Sequence, residues 1–256
     1  VAFMFMNLRF FCKGVYQRQL RIDDAILLFS WFLVVIYAAL ITVSVGYGLG
    51  KHARDVDPAD WTPINKYLYL GEVFSLISIP VSKTSFAVTL LRIAAKQWHK
   101  WVIWFIIISM NLAMGLCALL ILIQCDPVEK NWNENAKGSC WNPKIQDDFA
   151  VFAGAYSSFL DFALAMFPCV IIYHLQMSGK EKAGVIVAMS LGFLAGITAA
   201  VKTAFLPGAG DFTDPNFDFT DLLIWSLAET AVTIIAASIP FFRVLLRRVR
   251  SSYKNR

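Results

Sequence analysis

Charge is scarce in this sequence. Only 16% of its 256 residues are Asp, Glu, Lys or Arg, where soluble domains carry about 25%. Too few charges are available to coat a water-solvated domain of this length. Histidine is rarer still. His52, His99 and His174 fall in three different connections or helix ends, so no Cys/His set has zinc spacing. Catalytic signatures are missing as well: there is no P-loop, no G-x-G-x-x-G opening a βαβ unit, no HExxH and no G-x-S-x-G elbow. Gly46-Tyr47-Gly48-Leu49-Gly50 is rich in glycine but ends an apolar run, which is no place for a phosphate cradle. An enzyme is therefore not expected, nor a metal site. No Asn-x-Ser/Thr acceptor occurs, so N-glycosylation is not expected either.

What the sequence has is hydrophobic residues, 58% of the chain, gathered in long blocks. A helix needs about 20 mostly apolar residues to cross a bilayer. Six segments meet that length, roughly 24–48, 66–91, 102–124, 149–175, 184–206 and 220–243. Residues 1–12 are apolar but too short, and the chain begins at Val. We expect them to be the inner half of a first helix whose start is missing. A cleaved signal peptide is the competing reading, against which no small-residue cleavage site follows. The expected fold class is an all-α membrane protein, a seven-transmembrane helix bundle with a truncated first helix. It forms one domain over residues 1–256, with 244–256 as a basic cytoplasmic tail.

Lys and Arg concentrate at one end of these segments: Lys13, Arg18, Arg21, Arg92, Lys96, Lys100, Lys180, Lys182 and the run from Arg243 to Arg256. Cytoplasmic loops carry such an excess, which places the N-terminal side outside and the basic tail inside. The net charge of +5 is then a membrane-orientation bias. It calls for a lipid bilayer as partner and for no nucleic acid. The opposite loops are acidic, with Asp55, Asp57, Asp60, Asp211, Asp214 and Asp218 among them. This is either a solvated surface or a field that favours cations.

Of five cysteines, Cys125 and Cys140 share one outer loop. An oxidising face favours a disulfide between them, closing a loop of about 15 residues. Cys117 and Cys169 read as small apolar packers, and Cys12 as a candidate for acylation. Five ionisable residues stand out inside membrane segments: Glu72, Lys83, Asp161, Lys202 and Glu229. Such groups usually face the bundle interior. Glu72 and Lys83 are close to three turns apart and share a helix face. We expect Lys83 to pair with Asp161 or Glu229, and Lys202 to snorkel from near a helix end. The network either fixes helix register or lines a polar cavity for a ligand, and the two are compatible. Pro80, Pro168 and Pro240 are expected to kink three helices. Ala188, Gly192, Gly196 and Ala200 form a small-residue stripe that suits close helix packing.

Taken in order, certain residues carry a resemblance. They are Asp23-Asp24; Gly46-x-Gly48-x-Gly50-x-His52; Lys83-x-Ser85 and Leu91-Arg92-Ile93; Gln124-Cys125-x-Pro127, Trp132 and Cys140; Asp161 and Pro168; and Trp225, Glu229, Pro240 and Arg243. The set resembles the fungal rhodopsin-domain family of receptor-like integral membrane proteins, over essentially the whole chain. The resemblance implies a seven-helix plasma-membrane protein that senses extracellular cues. It also implies an unknown extracellular ligand and a cytosolic signalling partner such as a G protein. Two departures stand out: Lys202 where the family pattern leads one to expect arginine, and no long cytoplasmic tail. No cofactor is expected. Retinal needs a buried lysine, typically on the last helix, and that helix has Glu229 and no membrane-core lysine. Two other functions compete with a sensor. One is a transporter or channel that uses the buried charges, although the halves show no obvious repeat. The other is a non-signalling membrane scaffold in a secondary-metabolite or cell-wall pathway.

Overall fold

The computed structural model describes residues 2–14, 21–94, 96–133, 135–172, 179–206 and 214–254. The side chains of 12, 93, 143, 170–172, 179–185, 188, 215, 218 and 240–254 lie outside that description. Seven α-helices follow in order: α1 Ala2–Cys12, α2 Ile22–Tyr47, α3 Trp61–Ile93, α4 Gln97–Ile123, α5 Pro143–Ile172, α6 Gly179–Phe205 and α7 Pro215–Lys254. Two short strands, β1 Cys125–Asp126 and β2 Ser139–Cys140, pair antiparallel in the α4–α5 connection.

Among the described residues, five helices are long and apolar enough to cross a membrane: α2, the Trp61–Arg92 part of α3, α4, the Lys144–Cys169 part of α5 and the Phe219–Ile239 part of α7. The apolar helices Ala2–Phe11 and Met189–Phe205 are shorter. Apolarity in the sequence marks the hydrocarbon-facing length only, and helical backbone continues past it because its hydrogen bonds are internal. Thus α3 starts at Trp61, α5 at Pro143, and α7 runs on to Lys254 where a tail was expected from 244. The side chains of that basic stretch, Pro240 and Cys12 lie outside those described. Pro80 and Pro168 stand inside continuous helices.

The helices form a bundle around α3, which packs on α2, α4, α5 and α7, while α6 lies against α5 and α7 and α1 against α7. The distribution of side chains is that of a protein in lipid. Trp101, Phe105, Ile108, Leu112 and Leu119 of α4 face outward, as do Phe29 and Phe32 of α2. The central α3 instead buries polar groups along its length: Ser75, Ser78, Ser82, Lys83, Ser85 and Thr89. Without water, each of these needs an internal partner or a cavity. The small-residue stripe of α6 serves packing on α5. A Cβ at Gly192 would lie 2.8 Å from the Cβ of Ala165, and one at Gly196 would lie 2.9 Å from the Phe162 ring. This close approach lets Ser158 Oγ donate to the Gly196 carbonyl at 2.9 Å.

Candidate functional site: a buried ion cluster beneath a cavity

Lys83, on the central helix, sits at the middle of the bundle with 1% of its surface exposed. Its ammonium donates three hydrogen bonds, to Ser157 Oγ at 2.6 Å, Asp161 Oδ2 at 2.7 Å and Glu229 Oε1 at 2.6 Å. All three donors of the group are thereby used. Ser157 and Asp161 are four residues apart on α5 and so share one face. Glu229 is fully buried, and its second oxygen accepts from Lys202 Nζ at 2.6 Å. One carboxylate thus bridges two lysines, and the cluster ties α3, α5, α6 and α7 together.

The alternative partners expected for Lys83 are both engaged. Lys202 does not snorkel; it turns inward because Glu229 offers a full opposite charge where lipid offers none. Glu72 does not join the cluster. It shares a helix face with Lys83 but lies three turns nearer the disulfide end, where a different environment begins.

That environment is a cavity of about 390 Å³ between α3, α4, α5, α6 and α7. Glu72, Ser75, Gln146, Asp147, Lys202 and Ser226 supply its polar lining, and Leu76, Ile79, Met114, Ile121 and Leu222 are among its apolar walls. Its volume falls within the roughly 300–1,000 Å³ typical of small-molecule sites. Lys202 reaches both the cavity and Glu229, so cavity and cluster share a residue. A separate space of about 10 Å³ lies beside Lys83, Asp161, Gly192 and Thr233, room for about one water. Among the described residues, no group of three His, Cys, Asp or Glu side chains is placed to hold a metal ion.

The fungal rhodopsin domain matches this chain over residues 8–248. The chain belongs to that family. It is similar to Fugralins biosynthesis cluster protein 2 of Gibberella zeae, 26% identical over 78% of this chain and 51% of that protein. It is also similar to a SAT4 family membrane protein of Emericella nidulans, 24% identical over 84% of this chain and 56% of that one. Wortmanamides biosynthesis cluster protein C of Talaromyces wortmannii is 22% identical over 93% of this chain and 65% of its own length. The chain spans about half to two-thirds of the length of these curated relatives. No solved structure matches it.

In this fungal rhodopsin domain the residues that carried the resemblance separate into distinct sites. Asp23 and Asp24 open α2 and are buried together with Arg9 and Lys13 of the first segment. Arg9 donates to Asp24 at 2.9 Å, to Asp23 at 2.7 Å and to the Ala237 carbonyl of α7 at 2.6 Å. Lys13 reaches both carboxylates, Arg92 of α3 pairs with Asp23, and Ser85 Oγ donates to the Asp23 carbonyl at 2.8 Å. Sequence reasoning missed this second cluster, having read Lys13 and Arg92 as orientation signals. The usable signal was an arginine inside an apolar helix facing two adjacent aspartates.

The glycine motif ends α2. Gly48 and Gly50 adopt φ values of 118° and 87°, a left-handed conformation that suits glycine. The turn they make docks on α7. Asn216 Nδ2 donates to the Gly48 and Lys51 carbonyls at 2.9 and 2.8 Å. Asp214 accepts from the Ala53 N–H at 2.9 Å and lies 2.9 Å from His52 Nδ1. The Ala53 N–H first, then His52, hold the Asp214 carboxyl below its ordinary value. Cys125 and Cys140 are bonded, in register on the paired strands.

Proposed function

We propose that this membrane protein is a receptor-like sensor of an extracellular small molecule, held in the plasma membrane with its N-terminal side outside and its basic end in the cytoplasm. The observation that carries the reading is the shared residue Lys202. A ligand entering the cavity meets Lys202, and Lys202 holds Glu229, which holds Lys83. A change at the cavity therefore bears on a cluster that joins four helices. A ligand that binds one arrangement of these helices better shifts the population toward it, and a cytosolic partner such as a G protein would read the shift at the basic end. The space beside Lys83 is a separate pocket of about 10 Å³, which favours this over a conducting path. The names of two relatives refer to biosynthesis clusters, which supports a small molecule over a peptide as ligand.

The test is proximity labelling from a biotin ligase fused to the carboxyl end of the chain in fungal cells. Labelling is compared with and without an extract of spent medium. Stimulus-dependent labelling of cytosolic signalling proteins, lost in Lys202→Met, is expected. An identical labelled set in both conditions sinks the reading.

A further inference from the structure

The five ionisable residues singled out in the helix interiors do not all pair. Lys83 and Lys202 are matched by Asp161 and Glu229 through contacts of 2.6 to 2.7 Å. Glu72 is left over. It makes no hydrogen bond or ion pair among the described residues, and it lines the cavity. Asp147, also on the lining, has no basic partner among them either. Among the described residues of the lining the cation is Lys202, which attracts Glu72 through space but is hydrogen-bonded to Glu229.

The neutral polar groups of the cavity point the same way. Gln146 Oε1 is buried without a hydrogen-bond partner. Ser75 and Ser226 are 3% and 6% exposed, and their hydroxyls have no partner among the described residues. Carboxylate and amide oxygens only accept hydrogen bonds, so a ligand that satisfies them must donate. A carboxylate held away from bulk water without a partner is costly to ionise, and an opposite charge removes that cost. A bare metal ion does not fit a cavity of about 390 Å³ whose walls are largely aliphatic.

Resting on the sensor reading for its biological role, we propose that the cavity binds an organic amine cation with an apolar body. Its ammonium is held by Glu72, with Ser75, Ser226 and Gln146 as further partners. The apolar body lies against Leu76, Ile79, Met114 and Leu222. An anion of the same size would meet Glu72 and Asp147, while Lys202 on the same lining is already bonded to Glu229. A neutral alcohol would leave Glu72 unpaired.

The experiment uses the full chain in lipid nanodiscs and three probes of one size: phenethylamine, phenethyl alcohol and hydrocinnamate. Thermal unfolding and equilibrium dialysis are read for each. Phenethylamine alone is expected to raise the unfolding midpoint. Glu72→Gln weakens its binding about tenfold or more, as loss of a hydrogen bond to a charged group does, while Ser226→Ala weakens it by a smaller factor. Glu72→Gln removes the surplus charge and so retains the fold. If it does not, the paired Ser75→Ala and Ser226→Ala variants decide. Binding of hydrocinnamate or the alcohol as tight as that of the amine overturns the assignment. So does undiminished binding to the variants, or no response to any probe. Amine binding that leaves proximity labelling unchanged would keep the site and remove the sensor. Labelling that responds only to non-amine fractions would keep the sensor and remove this site.

Discussion

The two buried ion clusters use the same residue types in different surroundings. At the basic end, Arg9, Lys13 and Arg92 converge on two aspartates, and bonds run from α1 to α2, from α3 to α2 and from α1 to the α7 backbone. In the middle of the bundle two lysines meet two carboxylates. One of those lysines also faces a cavity. Taking ions out of water costs several kcal/mol each, returned only where partners and geometry are good. The basic-end cluster meets that condition within the protein. The central cluster meets it for four groups and leaves a fifth, Glu72, facing open space. A closed cluster holds helices in place, whereas one that borders a cavity can be altered by what enters it.

The largest expected break is at the basic end. Asp24→Ala removes one of the two buried carboxylates that Arg9 and Lys13 reach. Stripping a partner from a buried pair costs about 3–5 kcal/mol. A large fall in the membrane-inserted, folded fraction is expected, read by detergent thermal unfolding and by expression.

Glu229→Gln should cost less, about 2 kcal/mol, because Lys83 keeps Asp161 and Ser157 and Lys202 can turn to the cavity. Adding Lys202→Met should recover part of this loss. A double-mutant cycle measures the coupling, and a coupling near zero would show that the two residues do not act as a pair.

Single hydroxyls sharpen the contrast. Ser157→Ala removes a bond to a charged group and should cost about 1.5–3 kcal/mol, while Ser85→Ala removes a neutral one and should cost about 1 kcal/mol. Equal costs would indicate that the central ammonium is better solvated than its contacts imply.

The smallest effect is outside both clusters, at the α2–α7 clasp. The Asp214 carboxyl is held below its ordinary value of 3.8. A group whose pKa is lower when folded stabilises above its unfolded value and loses that contribution as pH falls through the folded one. The unfolding midpoints of wild type and Asp214→Asn should therefore differ near neutral pH and converge below about pH 4. A difference that persists in acid would deny the carboxylate this role.

Much of this was legible in the residues. The long apolar blocks lie within the observed helices to within a residue or so, apart from 173–175, which lie outside the described residues, and Cys125 and Cys140 are joined. The rare intramembrane charges pointed inward, since lipid offers them no partner. Helix lengths were less legible: apolarity marks contact with hydrocarbon, whereas α3, α5 and α7 extend beyond it. The Arg9–Asp23–Asp24 cluster was hidden because bases near a membrane edge look the same whether they face the cytoplasm or a carboxylate.

That this is a multi-helix membrane protein of the fungal rhodopsin domain family is already written in the residues. Hydrophobic length and the ordered motif residues are local properties, readable along one strand of text. Which charges meet is set by how the helices pack. Lys83 finds α5 and α7 at once, Lys202 turns from the lipid toward Glu229, and Glu72 faces a cavity. Pairing depends on distances across helices that are far apart in the chain, and in a medium without water those distances decide whether a charge is neutralised or left to bind something else.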